Sequence, residues 1–441
     1  MKLLDLILIA IILLVTCKLS AQPQEYVQNE VIIWLDKGVS KDHSPLLHHG
    51  LRPKRVLSKR LNIWLFEYPK GRQGESRSAR NENLNRLNSM AGIRHCQDNH
   101  IVKSRAVTPN DTHFSNQWAP AIMQLTDVWD DYSTGGTTVN GKEVVIAVID
   151  GGFDLGHEDL LFWKNTAEIA NNGIDDDGNG YVDDFDGWNA FTHSGNLPSD
   201  THGTHVSGIA GATGNNSQGI SGVNWNLEIM PIAGSSGNEA TVVEAYGYVL
   251  EMRALYNETN GSEGAYIVAT NASFGVDNGD PLDFPIWCGI YDELGDVGIL
   301  NCGATANANV NVDNVGDIPT TCGSDYLIAV TNTNSSDQKV TNAGFGPTNI
   351  DLGAPGDGIF STTPNDNYGN LSGTSMATPQ VTGIIALMYS SICEDFITAY
   401  DNNPSELALI IKDHLLEGAD NMYPYGLKRL DSDPFLACLC I

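Results

Sequence analysis

Three short stretches carry the residue types from which a nucleophilic site is built. Gly373-Thr374-Ser375-Met376-Ala377-Thr378-Pro379 opens a run in which Ala377, Val381, Ile384, Ile385 and Met388 fall at helical spacing, which predicts a helix with one buried face. Two small residues precede Ser375, so its hydroxyl stands at or near the helix N-terminus, where other groups can reach it. An isolated serine there is an ordinary N-cap. To attack a carbonyl it needs a base, and the base needs an orienting carboxylate. Both types occur upstream. Val144-Val145-Ile146-Ala147-Val148-Ile149 is a continuous apolar run, the pattern of a strand buried on both faces of a parallel sheet, and it ends in Asp150. Open α/β sheets place their sites at that end of a strand. Asp200-Thr201-His202-Gly203-Thr204-His205 then starts a helix with a histidine in its first turn, and Gly203, Gly208, Ala210 and Gly211 allow it close packing.

A different chemistry is written in the stretch from Asp175 to Asp186. Counted from Asp175, oxygen-bearing side chains stand at positions 1, 3, 5, 9 and 12 (Asp175, Asp177, Asn179, Asp183 and Asp186), with Gly180 at 6, Tyr181 at 7 and Val182 at 8. This is the spacing of an EF-hand-type calcium loop, where position 7 contributes its backbone carbonyl. Position 12 is the shorter aspartate in place of a bidentate glutamate, and flanking helices are not evident. Carboxylates so clustered repel one another without a cation. These six residues are the predicted ligands of a structural Ca2+, with a solvated acidic loop as the alternative.

The order Asp150…His202…Ser375 comes with Val148-Ile149-Asp150-Gly151-Gly152, His202-Gly203-Thr204-His205-Val206-Ser207-Gly208 and Gly373-Thr374-Ser375-Met376-Ala377-Thr378-Pro379. Order and motifs together resemble the subtilisin-like serine proteases, the subtilases, over roughly residues 110–430. The resemblance implies a doubly wound α/β fold, a mostly parallel sheet flanked by helices, preceded by a small α/β propeptide domain. It implies a secreted, calcium-stabilised serine endopeptidase in which Ser375 is the nucleophile, His202 the base and Asp150 the orienting carboxylate. The family's Ala-Gly-Asn motif reads Thr305-Ala306-Asn307 here, which makes Asn307 the implied oxyanion donor and Asn309 its rival. By the same resemblance Ser273-Phe274-Gly275 would pair with substrate backbone, where the simpler reading is a core strand with its turn. Asp159 and Asn216 match a second, tight calcium site, and each is otherwise an ordinary turn residue. An esterase of the G-x-S-x-G type is excluded, since Met376-Ala377 follows Ser375 and the triad order differs. A catalytically silent binding or adhesion protein on the same fold is the remaining alternative.

The surrounding chain divides into three. Residues 1–21 read as a signal peptide: Met1-Lys2, an apolar run over 6–15 too short to span a bilayer, and Ser20-Ala21 at the cleavage point. Thr16 before Cys17 makes a poor lipobox. Residues 22–108 hold 15 lysines and arginines against 8 aspartates and glutamates, a net of +7, whereas 109–441 hold 7 against 45, a net of −38. In the basic segment 31–35 and 61–66 read as strands and 77–90 as a polar helix. The resemblance makes this segment a propeptide that assists folding and inhibits, with a permanent accessory domain as the alternative. Opposite charge favours its docking on the acidic part. The turn-rich junction Val107-Thr108-Pro109-Asn110-Asp111-Thr112 leads into a catalytic domain over 109–441, with the acidic insertion at 171–187. There Asn403-Pro404-Ser405 opens a last helix with Leu407, Ile410, Ile411 and Leu415 on one face.

Acidity disfavours nucleic acid. The expected partners are polypeptide substrates and the chain's own propeptide, with no organic cofactor, no membrane after signal removal, and a monomeric state. Of the eight cysteines, Cys17 leaves with the signal and Cys96 with the basic segment. Cys288, Cys302, Cys322, Cys393, Cys438 and Cys440 then remain, an even set whose pairing is open. No C-x-x-C is present to suggest thiolate zinc.

Overall fold

A computed structural model describes residues 26–68, 77–100, 107–400, 402–422 and 427–429. Residues 1–21, read above as a signal peptide, and Cys438 and Cys440 lie outside the described residues. The chain forms two compact units that divide after Ser104, four residues before the boundary read from composition.

In the first unit β1 (Tyr26–Leu35), β2 (Arg52–Ser58), β3 (Ile63–Glu67) and β4 (Ile93–His100) form an antiparallel sheet in the order β2-β3-β1-β4. Helix α1 (Arg77–Asn88) places Leu87 in a core with Val31, Ile33, Leu35, Phe66 and Ile93. Alternation along β1 sends those three residues to one face, as a half-buried strand requires. Arg80 of α1 and Asp98 of β4, both buried, pair at 2.7 Å. The strands around 31–35 and 61–66 and the polar helix are where apolar spacing puts them. β2 and β4 escape that reading: β2 has no fully buried residue, and β4 is mostly polar.

The second unit contains β5 (Val145–Asp150), β6 (Trp188–Asn189), β7 (Glu228–Ala233), β8 (Ile267–Ala272), β9 (Val276–Asp277), β10 (Leu300–Ala304) and β11 (Asp317–Ile318). It continues with β12 (Leu327–Thr333), β13 (Leu352–Pro355), β14 (Ile359–Thr363), β15 (Asn367–Leu371), β16 (Asp420–Met422) and β17 (Leu427–Arg429). One sheet runs β16-β17-β13-β12-β10-β8-β5-β7-β6, parallel throughout except between β16 and β17. β9–β11 and β14–β15 are separate two-stranded ribbons. β5 pairs with β7 on one side and β8 on the other, so successive strands leave it in opposite directions. That reversal opens a crevice beyond the strand ends.

Helices α2 (Thr201–Gly211) and α5 (Thr374–Ser391) share a core with Ile146 and Val148 of β5. Helices α3 (Glu239–Glu258) and α4 (Pro285–Asp296) share another with Val145, Ala147 and Ile149. Helices on both faces explain why β5 has no polar position before Asp150, and they define the doubly wound α/β class. The last helix, α6 (Pro404–Gly418), is capped by the Asn403 side chain, which accepts from the Glu406 N–H, and it buries Leu407, Ala408, Ile411 and Leu415. Among the described residues no single helix is long and apolar enough to cross a membrane.

A disulfide joins Cys288 of α4 to Cys322, just past β11, across a separation of 34 residues. Closing a loop of that length in the unfolded chain contributes about 4 kcal/mol by chain entropy. The double variant Cys288→Ser, Cys322→Ser should lose stability of that order in denaturant unfolding. An unchanged midpoint would show that the cross-link leaves the unfolded ensemble unrestricted.

Candidate active site

β5 delivers Asp150 to the crevice 3% exposed, with its Oδ1 accepting from the Gly151 N–H at 2.7 Å. α2 begins alongside. Its cap, Asp200, accepts from the N–H groups of His202 (2.7 Å) and Gly203 (3.3 Å), which fixes the first turn. From that turn His202 Nδ1 reaches both carboxylate oxygens of Asp150, at 3.0 and 2.9 Å. Gly203 makes the approach possible: a Cβ there would stand 2.2 Å from the Gly152 carbonyl oxygen and 3.0 Å from Asp150 Cβ. Burial works against the imidazolium, but the hydrogen bond and charge of Asp150, joined by Asp200, outweigh it and raise the His202 pKa above 6.5. With Nδ1–H donating to Asp150, Nε2 is the basic nitrogen. The second histidine of the motif is different in kind. His205 is fully buried, its Nε2 lies 3.1 Å from the carbonyls of Ile359 and Gly369, and burial pulls its pKa down to about 4.

α5 starts one residue before Ser375 and packs against α2. The Thr374 N–H donates to Asn307 Oδ1 at 2.9 Å, and Thr374 Oγ1 donates to the Thr305 carbonyl at 2.6 Å. The Asn307 oxygen is thus held by the helix start, which leaves its Nδ2 for another acceptor. Asn309 makes no such bond among the described residues. The Ser375 N–H also has no partner there, at the positive end of a long helix. Asn307 Nδ2 and the Ser375 N–H are thus two amide donors at the start of α5 that no described residue takes up.

The Ser375 hydroxyl donates to the Ser273 carbonyl at 3.1 Å and not to His202. In return Ser273 Oγ donates to the Ser375 carbonyl at 2.9 Å. That carbonyl lacks its helical partner because residue 379 is proline, which has no N–H to give. Ser273 is buried with both polar groups engaged. Phe274 packs on Trp287 with ring centroids 5.9 Å apart, and only Gly275 of the three is exposed. Polar backbone open to a ligand therefore begins at Gly275.

The acidic insertion is organised around a residue that spacing does not reveal. Glu168 is 3% exposed, its Oε1 has no partner, and its ligand atom lies with those of Asp175 and Asp177 inside a sphere of contacts no longer than 4.8 Å. Burial, then the charges of Asp184, Asp176 and Asp177, raise its pKa. A bare, buried oxygen among carboxylates fits a hard cation such as Ca2+. Asp183 and Asp186 do not join this group. Asp183 accepts from the amides of Asn172 and Gly173, and Asp186 pairs with Lys164 at 2.5 Å. Asn179 bridges Asp177 and Asp184 through Nδ2, at 3.1 and 3.0 Å, while Tyr181 packs its ring on Trp188 and Tyr248. At the other expected site, Asn216 Nδ2 donates to Asp159 Oδ1 at 3.1 Å, and Ile220 N–H and Tyr368 OH donate to Oδ2. Those oxygens are taken up by protein donors and do not form a bare cage.

A doubly wound sheet with an aspartate–histidine pair at its switch point and a serine heading a buried helix defines the class. Residues 141–429 match the model of the subtilase family, and the chain belongs to that family. It is similar to subtilisin-like protease 1 of Plasmodium vivax, 28% identical over 362 residues that cover 75% of this chain and 54% of that protein. With thermitase of Thermoactinomyces vulgaris it shares 30% identity over 295 residues, 64% of this chain and 86% of that one. Among solved structures, a protease from Pseudoalteromonas arctica has a TM-score of 0.54 at 22% identity, covering 76% of this chain and all of that one, which shows the fold. The chain spans about half the length of the first curated relatives it matches.

The raised His202 pKa has a sign that NMR can check. Its pairing with Asp150 stabilises the fold fully below pH 6.5, and that contribution is lost as pH rises through the folded value. In a Ser375→Ala background, kept intact for long titrations, His202 should titrate above 6.5. Adding Asp150→Asn should lower it, because burial is then opposed only by the charge of Asp200. A value unmoved by Asp150→Asn would mean that Asp150 does not set the protonation of His202.

Proposed function

We propose that this chain is the secreted precursor of a serine endopeptidase, stabilised by calcium and acting as a monomer on polypeptide substrates. One observation carries the reading: Asp150 holds His202 Nδ1, while the start of α5, which bears Ser375, is tied through the Thr374 N–H to Asn307 Oδ1. On substrate binding, Ser375 Oγ turns from the Ser273 carbonyl to His202 Nε2. It attacks the peptide carbonyl carbon as its proton passes to Nε2, and Asp150 stabilises the imidazolium. The oxyanion takes hydrogen bonds from Asn307 Nδ2 and the Ser375 N–H. Donors so placed are each worth about 3 kcal/mol in the transition state. Collapse breaks the C–N bond and the leaving amine takes the proton from Nε2. Water then follows the same route to release the acid from Ser375.

In this reading residues 1–21 direct secretion, and the first unit is a propeptide that accompanies folding and blocks the site until it is cut away. The basic charge of that segment against the acidic remainder supports the pairing. Calcium would be held by Glu168, Asp175 and Asp177, where it supplies charge balance to the insertion and takes no part in bond breaking.

Two measurements test the proposal. Intact mass and N-terminal sequence of secreted wild type should show a start near residues 105–112, with Ser375→Ala still carrying the first unit. If both stay uncut and wild type hydrolyses no peptide, the silent binding protein is the better account. Calcium at about a thousandfold above its dissociation constant should stabilise the folded chain by about 4 kcal/mol. Glu168→Gln should remove most of that increment in thermal unfolding with and without chelator. Calcium stabilisation undiminished in Glu168→Gln would place the ion elsewhere.

A further inference from the structure

Beside this site lies a buried carboxylate with no cation to balance it. Asp317 is 1% exposed. Its Oδ2 accepts from Thr305 Oγ1 (2.8 Å), the Ala306 N–H (3.1 Å) and Thr320 Oγ1 (2.5 Å). Its Oδ1 accepts no hydrogen bond from the described residues, and no ion pair there includes it. Burial above all, with Asp277 adding to it, pushes the carboxyl pKa up. The stretch between Arg253 and Lys339, which holds both strands of the β9–β11 ribbon and the segment before Asn307, contains no lysine, arginine or histidine to pair with it.

The position of Asp317 is set from two sides. β11 pairs antiparallel with β9, Asp317 opposite Asp277 and Ile318 opposite Val276, and β9 directly continues Ser273-Phe274-Gly275. Gly275 meets this ribbon so closely that a Cβ would stand 2.0 Å from the Ile318 carbonyl oxygen. On the other side, Thr305 and Ala306 immediately precede Asn307. Asp317 thus joins the two segments that flank Ser375, one through its backbone ribbon and one through its side chain. A polypeptide that pairs with the exposed backbone beginning at Gly275 and sets its reacting carbonyl toward Asn307 would direct one side chain between those segments. That side chain belongs to the residue contributing the scissile carbonyl.

We propose that Asp317 determines specificity by anchoring the ammonium or guanidinium of a lysine or arginine on the N-terminal side of the cut bond. This rests on the endopeptidase reading above. A cation entering the cleft balances the carboxylate and gives Oδ1 a charge-assisted hydrogen bond. An apolar side chain leaves that oxygen buried and unpaired, which costs binding in the transition state.

The test uses the matured wild type with four fluorogenic peptides identical except for Arg, Lys, Leu or Phe before the cut. The kcat/KM for Arg and Lys should exceed that for Leu and Phe by about a hundredfold, the scale of a buried charge pair. In Asp317→Asn the Arg and Lys substrates should lose about that factor, with Leu and Phe little changed. A wild-type preference for Leu or Phe overturns the proposal. So does an equal loss on all four peptides in Asp317→Asn, which would make Asp317 a support for Thr305 and Ala306 alone. Should Asp317→Asn not fold, sequencing the cuts that wild type makes in a denatured protein decides: cuts after Lys and Arg uphold the assignment, and cuts after other residues refute it. No turnover of any peptide or protein by wild type would instead strike the endopeptidase reading itself.

Discussion

A carboxylate at the end of a strand buried on both faces orients an imidazole only if a helix can start almost on top of it. The Asp150–His202 contact is that constraint. It demands a strand whose position is fixed, which β5 obtains from apolar side chains packed alternately into two cores. It demands a capped helix start, which Asp200 provides, and a residue without a side chain at the point of closest approach, which is Gly203. The sheet reversal beside β5 leaves room for the serine-bearing helix to arrive from far along the chain. None of these parts does anything useful without the others.

Much of this is legible in sequence because the chemistry admits few residue types. Asp150, His202 and Ser375 stand in motifs whose apolar spacing also reveals the strand and helices that carry them. What is not legible has a common cause: the partner comes from elsewhere in the chain and leaves no periodic trace. Thr374 selects Asn307 over Asn309 by a hydrogen bond across 67 residues. Glu168 joins the acidic insertion from upstream of the loop pattern, while Asp183 and Asp186, correctly spaced, turn to backbone amides and to Lys164. β2 and β4 of the first unit stay hidden because β2 has no fully buried residue and the buried Ile93, Cys96 and Asp98 of β4 do not form an apolar alternation.

Charge in the second unit is distributed with consequences for folding. The buried Glu168, Asp159, Asp184 and Asp317 all have their pKa values raised chiefly by burial. Each is tolerated because neighbouring amides and hydroxyls donate to it, and such networks hold only when the surrounding loops are in place. The loops and the acids are therefore mutually dependent, and neither is stable ahead of the other.

Pro379 has an effect beyond its own turn. By withholding one amide it releases the Ser375 carbonyl from the regular ladder of α5, and Ser273 takes that carbonyl up. The Ser375 backbone is thereby stitched to the segment that follows β8. An ordinary helix would isolate that residue from its neighbours across the crevice. Here two reciprocal hydrogen bonds couple the positions of Ser273 and Ser375, so neither can shift without the other.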